Sequence, residues 1–269
     1  TDTTSPILYI LPGMQGWGLN VLQTAFYTQA IREQTIPKGP IDHLGDEISK
    51  KIANLTFANF VLKAIYANFA TMNNVFDNPA KWSENVIIAD ADFIDKVAFD
   101  LTVNFERMLM RRIPKADLAR WIDCVALDGG VREGKNEVQV VLIHDKKTER
   151  LDNFTPSGIK TEINGMAFND HLGEFSMSAY PVEELVSKAD FIAEAAMIAS
   201  SQKEVKRVMV VPDDEEAYAK VRHALRRIDD EGKRITLFAM QPMEGGNFRQ
   251  EILGYSLMSA LGIKGEEIK

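Results

Sequence analysis

Val86-Ile87-Ile88-Ala89-Asp90 is the stretch that decides the fold. It is a short apolar run rich in β-branched residues, with no polar alternation, and it stops at an acid. A run of that kind is a strand covered on both faces, because a half-exposed strand would alternate. A helical pattern follows it through Phe99, Phe105 and Met108 to Arg112, where Pro114 breaks it. Further along, Val138–Ile143, Arg207–Val211 and Arg234–Ala239 repeat the strand character, and Phe175–Tyr180 alternates as a fifth short strand. Helical stretches separate them: Ala116–Leu127, stopping at Asp128-Gly129-Gly130, then Val182–Ser200 and Glu215–Ile228. Gly232 sits where a residue closing a helix belongs. Buried strands alternating with helices predict an α/β domain of three layers, with a mostly parallel sheet of four or five strands.

Toward the N-terminus the pattern changes. Ile7–Leu11 reads as a strand, Leu19–Arg32 and Asp42–Asn73 as helices, and a soft boundary falls near Trp82. The expected organisation is a mostly helical segment over 1–85 packed on the core, the α/β domain over 86–245, and a C-terminal helical tail over 246–269. Within that tail Ile252–Ile263 reads as a short amphipathic helix.

Composition narrows the function. The 269 residues are 45% hydrophobic and 26% charged, which excludes a disordered chain, a collagen-like repeat and a coiled-coil rod. Lys and Arg number 31 against 39 Asp and Glu, a net charge of −8, which argues against a protein that coats duplex nucleic acid through a broad basic face. The single cysteine, Cys124, excludes an internal disulfide and a cysteine-based zinc site, and its setting in Trp121-Ile122-Asp123-Cys124-Val125 reads as a core thiol. No stretch has the ~18 apolar residues of a membrane span. With no signal-like start at Thr1–Pro6, the expected compartment is the cytoplasm.

In a doubly wound sheet, ligands sit at the carboxyl ends of the strands. Asp90 and Asp92 follow the first buried strand, His144 and Asp145 the second, and Asp213, Asp214, Glu215 and Glu216 the one at Arg207–Val211. Asp190 and Glu194 lie one turn apart on a helix. Carboxylates crowded together repel unless protons or a cation intervene, and a hard ion such as Mg²⁺ or Mn²⁺ would hold them and activate water. The plainer alternative is that each acid caps the helix after its strand.

Residues 86–240 resemble the NYN branch of the PIN-like ribonuclease superfamily in divergent form. The resemblance rests on Val86-Ile87-Ile88-Ala89-Asp90-Ala91-Asp92, on Lys188-Ala189-Asp190-Phe191, on Val208–Glu216, and on Glu231-Gly232-Lys233-Arg234-Ile235-Thr236-Leu237. It departs from the family where Phe93 replaces an Asn, Val211-Pro212 a Ser-Gly pair, Glu215 an Asp and Glu216 a Phe. The resemblance implies a Mg²⁺- or Mn²⁺-dependent ribonuclease acting on single-stranded RNA. Asp90, Asp190 and Asp213 would be catalytic and hold the ion, with Asp92, Glu194 and Glu215 as further ligands. Lys203, Lys206 and Arg207, or Arg222, Arg226 and Arg227, would guide the RNA. The lost Asn, Ser and Gly favour the alternative, a catalytically inactive binding module for a protein or a small phosphate-bearing ligand, for which a homo-oligomer is the expectation.

Other constellations carry less. Gly13, Gly16 and Gly18 follow a strand and precede a helix, but their spacing is neither the dinucleotide nor the P-loop pattern, and a plain turn is the expectation. His43, His144, His171 and His223 show no zinc-hydrolase spacing, and no Gly-x-Ser-x-Gly elbow occurs.

Overall fold

The computed structural model describes residues 82–183, 187–213, 215–226, 228, 232–243 and 248–268. The chain divides between Leu62 and Lys63. The first unit lies wholly outside the described residues, as do the expected strand at 7–11, the helices at 19–32 and 42–73, the Gly13–Gly18 loop and His43.

Strand β1 (Asn85–Asp90) runs into helix α1 (Ala91–Leu109). A two-residue strand β2 (Ala116–Asp117), helix α2 (Leu118–Asp128) and strand β3 (Asn136–Asp145) follow. Then come β4 (Phe154–Thr155), one π-helical turn (Ile159–Ile163), β5 (Ala167–Asn169) and β6 (Gly173–Val182). Helix α3 (Lys188–Ser201), β7 (Arg207–Val211), α4 (Glu215–Leu225) and β8 (Arg234–Ala239) complete the alternation. The described chain closes with β9 (Arg249–Ile252), α5 (Leu253–Ala260) and a single 3-10 turn (Gly265–Glu267).

The main sheet has the order β5-β6-β3-β1-β7-β8-β9. Every pairing in it is parallel except that of β5 with β6. The chain steps from β1 outward through β3 to β6, then returns to the other side of β1 and steps outward again through β7, β8 and β9. The reversal lies between β1 and β7, so the carboxyl ends of these two strands flank the crevice where such sheets take ligands.

The double-sided burial read from the sequence is present. All six residues of β1 are buried. Ile87 and Ala89 join one core with residues of α1, α2 and α5, among them Ile94, Trp121 and Leu257. Val86 and Ile88 join the other with residues of α3 and α4, among them Ile192, Ala196 and Val221. This is the period-two alternation of a strand with an apolar cover on each face. Asp90 caps α1 by accepting the Phe93 N–H at 3.0 Å, and Asp117 caps α2 by accepting the Arg120 N–H at 3.1 Å.

Three expectations change. Among the described residues the sheet has seven strands, with β5 and β9 joining the expected ones at its edges. Both are short, and an edge strand needs no long apolar run to be stable. Val182 belongs to β6, and α3 begins only at Lys188, where Ser187 accepts the Asp190 N–H at 3.3 Å. Ile252 ends β9 instead of opening a helix, and α5 behind it sends Leu253, Leu257 and Ala260 into the core, so this segment is built into the sheet and its cover.

Candidate functional site

Asp90 is the last residue of β1, and alternation turns it to the same face as Val86 and Ile88, the face that α3 covers. It is 1% exposed. Lys188, the first residue of α3, points its ammonium at that carboxylate. The Lys188 Nζ lies 3.0 Å from Asp90 Oδ1, 2.7 Å from Asp92 Oδ2 and 3.3 Å from Asp145 Oδ1. One cation therefore joins the carboxyl ends of β1 and β3.

The carboxylates are held by more than the lysine. Asp92 Oδ2 also accepts the Asp145 N–H at 2.8 Å, and Asp92 Oδ1 accepts the Thr148 hydroxyl at 2.5 Å. Burial pushes Asp92 up, but the hydrogen bonds from Lys188, Thr148 and the Asp145 amide together outweigh it and hold the group below the ordinary carboxylate range. Asp90 goes the other way. Its deeper burial raises it to about 6, against the opposing pull of Lys188 and the Phe93 amide. Burial would lower Lys188, yet the surrounding acids raise it, so the ammonium stays charged throughout the physiological range.

Among the described residues, the expected metal ligands Asp90, Asp190 and Asp213 do not form one donor group. Asp190, two residues past Lys188, meets Lys220 of α4 at 3.0 Å, and Lys220 also pairs with Glu216 at 3.1 Å. Asp213 is exposed just beyond the end of β7. Glu194 is half-buried and raised by that burial. Asp214 and the side chain of Glu215 lie outside the described residues. Among the described residues, the acid and histidine donors whose ligating atoms all fall within 4.8 Å of one another are Asp123, Asp170 and His171, a set that contains none of Asp90, Asp190 and Asp213. At Asp90 and Asp92 the donors do not suit a hard divalent ion while Lys188 stands among them. Their facing oxygens are turned to the ammonium, and the second Asp92 oxygen is taken by Thr148.

The basic residues expected to guide RNA lie elsewhere. Arg207 begins β7, and Lys203 and Lys206 precede it, at the amino edge of the parallel sheet. Lys206 pairs there with Glu84, and Arg207 donates to the Asn85 side chain. Arg222 and Arg226 fall at the end of α4, which runs back toward that same edge before β8 begins. Arg227 is outside the described residues. His144 is buried, with Nδ1 at 2.8 Å from the Asp145 carbonyl oxygen. Cys124 is half-buried on α2, and burial raises its thiol.

Lys188 is the residue the sequence reading used only as part of a motif. A signal was available. A lysine at the first position of a helix opposes the positive end of the helix dipole and calls for an acidic partner. The three aspartates supply it.

No helix among the described residues is long and apolar enough to cross a membrane. Neither a curated protein nor a solved structure matches the chain. Residues 79–268, which hold the whole sheet and the Lys188 cluster, match a family of unknown function, DUF6621, and the chain belongs to that family.

Proposed function

We propose that residues 86–268 form a three-layer α/β binding module of PIN/NYN-like descent in which a lysine has taken the cation's place, so that the domain binds a partner without cleaving it. The observation that carries this reading is the Lys188 ammonium, which sits 2.7–3.3 Å from three aspartates at the ends of β1 and β3. An ammonium there offsets the carboxylate repulsion that a Mg²⁺ or Mn²⁺ ion would otherwise relieve, but it carries no bound water to activate. The basic residues at the opposite edge of the sheet support the same conclusion, since RNA bound along them would lie away from the acids. The partner is a protein or a small phosphate-bearing ligand. The single cysteine suits a reducing compartment, and we place the protein in the cytoplasm.

The ribonuclease reading makes the opposite forecast, and one experiment separates the two. The full chain is melted with and without millimolar Mg²⁺ or Mn²⁺, and incubated with a labelled single-stranded RNA. The expected result is no cleavage, and no Mg²⁺ or Mn²⁺ shift that Asp90→Asn removes. The variant Lys188→Ala, which leaves Asp90 and Asp92 unbalanced, is expected to lose about 3 kcal/mol at pH 7.5 and to recover part of it on adding Mn²⁺. Mn²⁺-dependent cleavage by the wild type that disappears in Asp90→Asn would overturn the proposal and restore the nuclease.

A further inference from the structure

A second cluster of ionisable groups lies away from Lys188. Asp170 and His171 form the tight turn between β5 and β6, and Asp123 faces them from the middle of α2. The backbone of this turn is fixed from both sides. Asp170 Oδ1 accepts the Leu172 N–H at 2.7 Å and the Gly173 N–H at 3.3 Å, and the Gly134 N–H donates to the His171 carbonyl at 3.2 Å. The turn therefore holds its backbone and the Asp170 carboxylate in place without help from a ligand.

Three features of the cluster point to a missing positive partner. A carboxylate oxygen of Asp123 and one of Asp170 lie within 4.8 Å of each other, an arrangement that a proton or a cation between them relieves once both have ionised. Asp123 Oδ1 is buried with no hydrogen-bond partner at all, although buried carboxylate oxygens are ordinarily satisfied. The exposed imidazole of His171 places a ring nitrogen within 4.8 Å of an oxygen from each acid. Arg120 adds positive charge nearby, and its Nε donates to Ser259 Oγ at 3.3 Å.

We propose that Asp123, Asp170 and His171 bind a divalent first-row transition ion, for which Zn²⁺ is the probe. Two carboxylate oxygens and one imidazole nitrogen are the donors such an ion accepts at about 2.0–2.2 Å, and three protein ligands, two from the turn and one from α2, leave a fourth position to water. Donors spread over 4.8 Å reach those bond lengths by side-chain rotations of about 1 Å, which an exposed histidine makes freely. The mixed set separates this site from an acid pair awaiting Mg²⁺, because a nitrogen donor favours the transition ion. The ion would pin α2 to the β5–β6 turn.

The test uses the full chain stripped with a chelator, at pH 7.5. Calorimetry and thermal melting are run with Zn²⁺ and, as a separate arm, with Mg²⁺. Co²⁺ is added to report ligation through its visible absorption. The expected result is one saturable Zn²⁺ site that raises the melting temperature, a visible Co²⁺ band, and no comparable response to Mg²⁺. His171→Ala should melt like the metal-free wild type, bind Zn²⁺ at least tenfold more weakly, and lose the Co²⁺ band. Asp123→Asn should weaken Zn²⁺ to a similar degree. If that variant fails to fold, His171→Ala carries the test alone. Absence of saturable Zn²⁺ binding overturns the proposal, as does Zn²⁺ affinity that His171→Ala leaves unchanged. Either result leaves a proton shared between Asp123 and Asp170 as the explanation of the pair.

Discussion

Asp90 and Lys188 show what burial does to an ion pair. With 1% exposure, the Asp90 carboxyl is raised by desolvation to about 6 even with an ammonium 3.0 Å away. The folded state thus binds a proton at Asp90 between about pH 4 and 6, where the unfolded chain has already released it. Stability from this group is fully present below its unfolded value of 3.8 and is lost as pH rises toward 6. The size of the change is about 3 kcal/mol. Asp90→Asn keeps an acceptor for the Phe93 N–H and removes the titration. Urea denaturation of both proteins across pH 4–7 should show the wild type losing ground to the variant by that order as pH rises. Parallel curves would mean that Asp90 is not the buried acid described here. The role of Asp90 as an end-of-strand acid was readable from Val86-Ile87-Ile88-Ala89-Asp90, because helix caps after buried strands follow from local chemistry. Its partner was not, because nothing local in residues 86–92 shows a lysine almost a hundred positions away.

At the scale of elements, the legible parts are those whose own sequence dictates their burial. β1, β3, β7 and β8 are apolar runs, and the structure puts each at or near the middle of the sheet. β5 and β9 are Ala-Phe-Asn and Arg-Gln-Glu-Ile, with no pattern to mark them, and they exist because neighbours offer a ladder to pair with. The start of β6 is set by one residue. Gly173 has φ +141°, and a Cβ there would run into the backbone of Asn136, the residue it faces in the β3–β6 register. Backbone cannot step aside as a flexible side chain can. Gly173→Ala is therefore expected to cost at least about 3 kcal/mol, and it should also loosen the Asp170–His171 turn next to it. Gly165 is the control, with φ +79° and nothing within 4 Å of an added Cβ. Its alanine variant should lose only about 1 kcal/mol, for backbone strain alone. Equal melting temperatures for the two variants would show that the Asn136 contact does not limit β6.

At the scale of the molecule, the sheet divides the described chain into two apolar cores, whose described members lie between Trp82 and Ile263. β1 is the hinge of that arrangement, because its alternate residues enter one core and then the other. A domain whose central strand is completely covered, and whose outer strands are paired or edged with polar residues, has the means to fold by itself. The residues matched to the family, 79–268, enclose this whole construction. The fragment 79–269 is thus expected to express as a folded domain with a single cooperative unfolding transition, and to keep the Zn²⁺ response of the full chain. Ile87→Ala and Ile88→Ala remove one side chain from each core, and within the fragment each should cost about 2–5 kcal/mol, since each deletes a fully buried branched side chain. Two separable transitions, or a cost confined to one of the two variants, would show that one face of the sheet is not closed by residues 82–268 and depends on something outside them.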